Sequence, residues 1–576
     1  MIVNPAAIAG VATPEDAKLA SVFRDYLERV FRAEPLLATR LGDRRFDSEL
    51  DDLSPEARKS NVERDRTMLA DLPTLVDRAS LSGDGRVDFD ILEHHLVRNI
   101  WLAENTDPFV EDPRIYGDYF SDSVYLILSQ STQPREIKLR NVLSRMEKIP
   151  ALVDVARSTI GKAPRVMVET AIRQTKGAIG FYQGELFTLA GEPAGQGELG
   201  QRANAIVEAL KTHQRNLEGD VLARATEDWR LGKEKFARKL DLEIDAGITA
   251  DDLLAEALSE ATRVEREMAV IARVLWSSMF PIEAVPPDDE EGRRAMTRRV
   301  LAEIARDHGT PEELVRDARS TVDAIKRFIT TKDILRLPEP DRCKILEMPE
   351  FKRGNSVAYL ESAPPLDREA PSEYAISPPP SGWNERQVRS YLEEYNRAML
   401  KILTIHEAYP GHYVQLEYAN RCPSPIRLIL SSGTFAEGWA VYTEQMMLDQ
   451  GFGDGDLKLR LQQLKFYLRA VVNAILDHRM HCETMTDTQA MELLVGRAFQ
   501  SEGEALGKVI RSKQSSTQLS TYFAGRTAFY RLRQKVQREQ GDAFELGRFH
   551  EAVMSHGTLP VKYLPDLVRE RLKQPR

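Results

Sequence analysis

Cysteine is scarce in this 576-residue chain: Cys343, Cys422 and Cys482 stand far apart, with no Cys-x-x-Cys pair. A disulfide framework and a zinc ribbon are thereby excluded, and three reduced thiols fit the cytoplasm. Long apolar runs are missing as well. None approaches the ~18 residues of a spanning helix, so no membrane partner is expected. The weakly apolar stretch from Ile2 to Val11 has no basic residues ahead of it and contains Pro5, which makes a poor secretory signal. A cytoplasmic location is the expectation. Basic runs are absent too: 79 Lys plus Arg stand against 89 Asp plus Glu, a formal charge of −10, and nothing tracks a phosphate backbone. Nucleic acid is excluded as a partner on that ground. Internal repeats and low-complexity tracts are also lacking.

What the chain does have is enough apolar material to fold. With 42% hydrophobic and 29% charged residues, a sizeable core can form. A prior of one domain per ~150 residues allows several domains, but helical hydrolases often keep one core. We expect a single large helical domain over residues 1–576, with an N-terminal lobe at 1–290 and a C-terminal lobe at 291–576 carrying the site. Thr13-Pro14-Glu15-Asp16 reads as a helix start, and Leu19, Val22, Phe23, Tyr26, Leu27 and Val30 follow at helical spacing until Glu34-Pro35. A second capped start at Thr249 precedes Leu253, Leu254, Ala257, Leu258 and Ala261. The predicted fold class is mainly α. Breaks are expected at the Gly-rich stretch Gly191 to Gly200 and at the proline-led acidic stretch Val285 to Gly292, either of which could separate lobes.

Between Cys343 and Trp383 the pattern changes. Lys344 to Met348, Val357 to Leu360 and Tyr374 to Ile376 are short strand-like runs among prolines, predicting a small β-sheet. A sheet edge beside a cleft can hydrogen-bond an extended peptide, which places Tyr374 among the substrate-binding candidates.

The chemistry concentrates in Ile405-His406-Glu407-Ala408-Tyr409-Pro410-Gly411-His412-Tyr413. Two histidines flank a glutamate able to act on a metal-activated water. Their separation is six, not the four of His-Glu-x-x-His. On an unbroken helix that sets the second histidine ~240° around the axis, so both reach one ion only if the helix is distorted. Pro410 and Gly411 supply a reason for a kink or bulge. The alternative is a helix broken by Pro-Gly with two incidental histidines.

A third ligand is expected downstream, and Glu437 in Phe435-Ala436-Glu437-Gly438-Trp439-Ala440-Val441-Tyr442-Thr443-Glu444 is the candidate. Glu444, seven residues on, shares its face and could orient a ligand; a solvated helix glutamate is the alternative, more so for Glu444 than for Glu437. Leu464, Tyr467, Leu468, Val471 and Ile475 lead to Asp477 and His481, four apart and able to meet. A carboxylate holding His481 would suit a donor to an oxyanion, with a surface ion pair or a core histidine as alternatives.

His406 to Gln415, followed by Glu437 to Glu444, resembles the bacterial domain-of-unknown-function 885 family, which is similar to the gluzincin metallopeptidases. The resemblance runs over nearly the whole chain, from Pro35–Gly42 to Phe549-His550, Gly557 and Pro560. It implies a large helical, cleft-containing, gluzincin-like peptidase fold. It further implies one zinc ion per chain on His406, His412 and Glu437, with Glu407 as general base, and short peptides or amino-acid conjugates as substrates. Asp477 and His481 resemble the family's Asp and His on the helix after the ligand. Arg511, Gln518, Tyr522 and Gly525 resemble its C-terminal Arg, Gln and Tyr-x-x-Gly positions. Ser516-Thr517 stands where Pro-Gly is usual, and Cys482 to Thr484 replace a more glycine-containing sequence. Arg511 could bind a substrate carboxylate and Tyr522 polarise the scissile carbonyl; a surface arginine and a packed tyrosine are the alternatives. His94 and His95 beside Glu93, His213 and His308 read as ordinary polar-face residues, and His550 as structural. Rival readings are a metal hydrolase of a non-peptide amide and a non-catalytic helical metal-binding protein.

Overall fold

The computed structural model describes residues 13–348, 358–380 and 382–574. The stretch Ile2 to Val11 and Val357 lie outside the described residues. Helix upon helix is what the periodicity predicts and what is found. Thr13 caps Pro14–Ala33 through a reciprocal pair with Asp16, and Thr249 caps the long helix Ala250–Met279 by accepting from the Asp252 amide. The acidic stretch near 288 is a helix start: Asp289 accepts from the Gly292 amide at 2.7 Å at the head of Glu290–Ala305. The Gly-rich stretch is shorter than its composition suggests, because a helix already begins at Gly197.

Among the described residues, three apolar cores hold the helices together. One packs residues between Leu36 and Val221. A second joins Phe236–Ile304 to residues between Val441 and Ala524, and the third joins N-terminal residues from Leu19 to Leu96 with residues from Leu314 to Leu572. Two of the three therefore draw from both sides of residue 290. Among the described residues, no helix is long and apolar enough to cross a membrane.

The small sheet has the order β1-β3-β2, where β1 is Cys343–Glu347, β2 is Ala358–Glu361 and β3 is Ser372–Ile376. β3 runs parallel to β1 and antiparallel to β2, with Leu360 opposite Tyr374. Among the described residues β2 stands at one side of this sheet, and it packs against the helix that ends in the His-Glu pair.

Candidate metal centre

The Arg397–Glu407 helix, capped by Asn396, carries His406 and Glu407 on its last turn. The break that follows is what the sequence predicts from Pro410 and Gly411. A new helix, His412–Ala419, starts with the second histidine at its first position. Gly411 is required by space: a Cβ there would lie 1.9 Å from the His406 carbonyl oxygen and 2.3 Å from that of Ile405. The Gly411 amide donates to the Ile405 carbonyl at 3.0 Å, and the Trp439 indole donates to the Pro410 carbonyl at 2.8 Å. The last bond pins the break to the Gly433–Asp449 helix, which carries Glu437.

These elements bring His406, His412 and Glu437 together. The Glu437 carboxylate lies 3.7 Å from His406 Nε2 and 3.5 Å from His412 Nε2, and one donor atom from each of the three fits within 4.8 Å. Two imidazoles and a carboxylate are a zinc donor set with room for a further ligand. The imidazole planes stand at 90° to one another. Glu444, wholly buried, meets His406 Nδ1 at 2.7 Å, which turns Nε2 toward the cluster. The solvated alternative for Glu444 does not hold. His406 also rests edge-on against the Phe466 ring.

Electrostatics follow the geometry. Burial opposes charge on His406, yet hydrogen bonds to Glu437 and Glu444 raise its pKa to about 10. Burial works against the Glu437 carboxylate too, but its contacts with both histidines hold it well below the usual range. Glu407 is half-buried and raised by burial, against the pull of both histidines. A backbone bond from Leu360 of β2 also favours its ionised form.

Tyr522 and Arg511 approach the same cluster from the C-terminal helices. Arg511 Nη2 donates to Gln518 Oε1 at 2.7 Å and reaches the Tyr522 hydroxyl at 3.4 Å. Burial raises the Tyr522 phenol and the Glu437 charge adds to that, so it keeps its proton. The Thr521–Gln540 helix bearing Tyr522 crosses the Glu437 helix at Gly438 and Gly525.

Three expectations are corrected. Asp477 and His481 do not pair. Asp477 instead accepts from the amides of Thr517 at 3.0 Å and Ser520 at 3.1 Å, and from the Ser520 hydroxyl at 2.8 Å. His481 Nε2 meets the carbonyls of Ser512 and Ser515, and its ring is packed against Phe236 and Trp229. Burial lowers this imidazole to about 4, leaving one N–H, which those carbonyls take. The assignment of His481 as oxyanion donor therefore fails for lack of a free proton; Asp477 positions the segment that leads to Tyr522. Tyr374 is not a substrate contact, being fully buried with its hydroxyl 3.2 Å from that of Thr404. Finally, His213 is a buried ring edge-on to Phe120, not a polar-face residue. His550 is structural as expected, bonded to the Tyr442 hydroxyl and the Ile334 carbonyl, each at 2.8 Å.

Lys508, Arg469 and Glu504 are residues near the cluster that the sequence reading passed over. Lys508 is 6% exposed, and burial with the charges of Arg469 and Arg511 pushes its ammonium well below the usual range, against Glu504 and Glu437. Its only signal in sequence was a lysine at helical spacing from Glu504 and Arg511, which many solvated helices share.

The fold and cluster define a mainly helical protein with a two-histidine, one-glutamate site. The chain belongs to the bacterial protein family of unknown function DUF885, whose pattern matches residues 35–568. It is similar to the solved structure of a lipoprotein of unknown function, so designated, from Shewanella oneidensis. That likeness has 29% identity and a TM-score of 0.81, covering 96% of this chain and 99% of that one. A second structure, of a protein also designated a lipoprotein, from Colwellia psychrerythraea, shares the fold at 17% identity and a TM-score of 0.77, covering 97% and 99%. Among curated proteins none matches.

Proposed function

We propose that this chain is a zinc-dependent hydrolase, gluzincin-like in its site, that cleaves the amide bonds of short peptides or amino-acid conjugates. The observation that carries this reading is Glu407, a carboxylate beside the ligand trio but outside it; a purely structural zinc site has no use for such a group. His406, His412 and Glu437 would hold one zinc per chain, with Glu444 orienting His406. Zinc in such a site polarises a carbonyl and lowers the pKa of water to ~7.

The remaining work falls to the chain's own groups. Glu407, its pKa raised by burial, accepts a proton from the attacking water and returns it to the leaving amine. The Tyr522 phenol donates to the oxyanion that develops on the substrate carbonyl. Leu360 of β2 contacts Glu407, so the sheet lies against the general base. Nucleic acid has no part in this reading.

The test is zinc content by elemental analysis of the parent, His412→Ala and Glu407→Gln, with hydrolysis of a mixed peptide library on each. We expect about one zinc per chain in the parent and in Glu407→Gln, with turnover only in the parent, and loss of both in His412→Ala. A parent that stays metal-free after zinc incubation and dialysis ends the proposal. A zinc-loaded parent inert toward peptides but active on other amides moves the substrate, and one inert toward both leaves a metal-binding protein. The reading places the enzyme in the cytoplasm on the strength of its free thiols. The Shewanella oneidensis relative's designation points instead to the envelope, and cell fractionation decides between them.

A further inference from the structure

The Glu502–Gln514 helix carries Glu504, Lys508 and Arg511 on one flank, at spacings of four and three residues. Glu504 already has partners: the Tyr395 hydroxyl donates to it, and Arg469 Nη1 lies 3.2 Å away. Lys465 and Glu394 pair beside them at 2.8 Å. Lys508 is different. It is buried, yet it forms no hydrogen bond or ion pair among the described residues. The charged groups that act on it are Arg469, Arg511, Glu504 and the metal-ligand candidate Glu437.

In this group the cations Lys465, Arg469, Lys508 and Arg511 face the anions Glu394, Glu504 and Glu437, and Glu437 is committed to the two histidines. Arg511 spends its contacts on the neutral Gln518 and Tyr522, so among the described residues Lys508 and Arg511 are the two basic groups here without a paired carboxylate. Arg511 lies beside Tyr522, whose phenol feels Glu437, and Lys508 feels the same carboxylate. Lys508 buries its stem and presents an unpartnered ammonium at its tip, and holding a largely sequestered charge without a partner is costly unless the partner arrives with a ligand.

We propose that Lys508 and Arg511 form a carboxylate-binding subsite next to the Glu437 side of the cluster, which takes the free C-terminal carboxylate of a short peptide. The inference rests on the hydrolase reading and narrows it to an enzyme that acts close to a free C-terminus. Lysine supplies a point charge and arginine a fork of donors, the pair that holds a carboxylate in a fixed orientation. An acidic side chain offers the same chemistry and is the rival source.

The experiment uses the zinc-loaded full chain and peptides made in pairs, as free acid and as C-terminal amide, with a further amidated set carrying Glu near its end. Free acids are expected to show kcat/KM about ten- to a hundredfold above their amides, the size of a charged hydrogen bond. Lys508→Met should bring the acid-to-amide ratio close to unity, and Lys508→Arg should restore part of it. Circular dichroism checks that each variant folds, and Arg511→Gln, on the exposed flank, provides a second arm with the same expected narrowing. Equal turnover of acids and amides by the parent overturns the subsite while leaving the hydrolase intact. Amides carrying Glu that are cut as fast as free acids overturn it in favour of the acidic side chain. Failure to cut any peptide overturns the peptide-substrate reading, and the subsite that rests on it falls too.

Discussion

Gly438 and Gly525 meet through backbone atoms alone. A Cβ built on Gly438 would lie 2.4 Å from the Gly525 Cα, and one built on Gly525 would lie 2.0 Å from the Thr434 carbonyl oxygen. The two helices can therefore cross only where both residues lack side chains. The crossing is local to the site, since Glu437 adjoins Gly438 and Tyr522 lies one turn before Gly525. Gly525→Val should force the helices apart and destabilise the chain by about 1–3 kcal/mol, the usual range for overpacking. It should lower hydrolysis and zinc content together, because the clash falls between the helix bearing Tyr522 and the helix bearing the ligand Glu437. Thermal melting, bound zinc and turnover on the same preparation check this. Unchanged turnover would separate the crossing from the function.

Much of this arrangement was legible in the sequence, for reasons that differ from residue to residue. Thr13 and Thr249 announce their helices because a cap is a local interaction within one turn. The break between His406 and His412 was legible because proline and glycine act on their own backbone. Long-range partners were not. Asp477 and His481 stand at pairing distance along a helix, yet each is claimed by the 512–520 segment, which no spacing rule reveals. Glu444 and Lys508 look like solvated helix residues in one dimension, and only their burial sets them apart.

Glu444 bears on metal affinity without being a ligand. Its bond to His406 Nδ1 at 2.7 Å fixes which nitrogen faces the cluster. Glu444→Gln keeps the shape and removes the charge, and we expect zinc affinity to fall about 10–100-fold, the range typical of such partners. Competition with a chromogenic chelator measures it. An unchanged constant would mean that the buried carboxylate serves only packing.

The charge state of His406 makes a pH prediction whose sign can be worked out. Its folded value, raised to about 10 from 6.5, belongs to the metal-free chain, where the imidazolium sits between Glu437 and Glu444. A group raised on folding stabilises the chain fully below 6.5 and loses that contribution as pH climbs through about 10. Zinc needs the neutral ring, so its affinity moves the other way, gaining up to about tenfold per pH unit over that window. The melting-temperature gap between zinc-loaded and metal-free protein should widen from pH 6.5 upward. Calorimetry in buffers of different ionisation heat should register about one proton released per zinc at neutral pH. A gap that stays constant with pH would count against His406 as a ligand.

Thr517 occupies backbone space that glycine favours. Its φ is +69°, in the left-handed region, where a β-branched residue is an outlier costing about 1–2 kcal/mol. Three contacts hold it there: its amide donates to Asp477 at 3.0 Å, and its hydroxyl lies within hydrogen-bond reach of both Glu243 and the Ser516 carbonyl. The amide bond survives any substitution except proline, whereas the hydroxyl contacts do not. Thr517→Gly therefore relieves the strain and loses the hydroxyl contacts, and glycine also gives up about 0.5–1 kcal/mol of chain entropy. Thr517→Ala loses the same hydroxyl but keeps a Cβ in the left-handed region. The two variants should diverge by about 1 kcal/mol, with glycine the more stable, as denaturant melts of paired samples would measure. Because Asp477 grips this residue and Ser520 at the approach to Tyr522, turnover should be retained in the glycine variant. If both variants fall equally, the hydroxyl contacts and not the backbone set the energy of this turn.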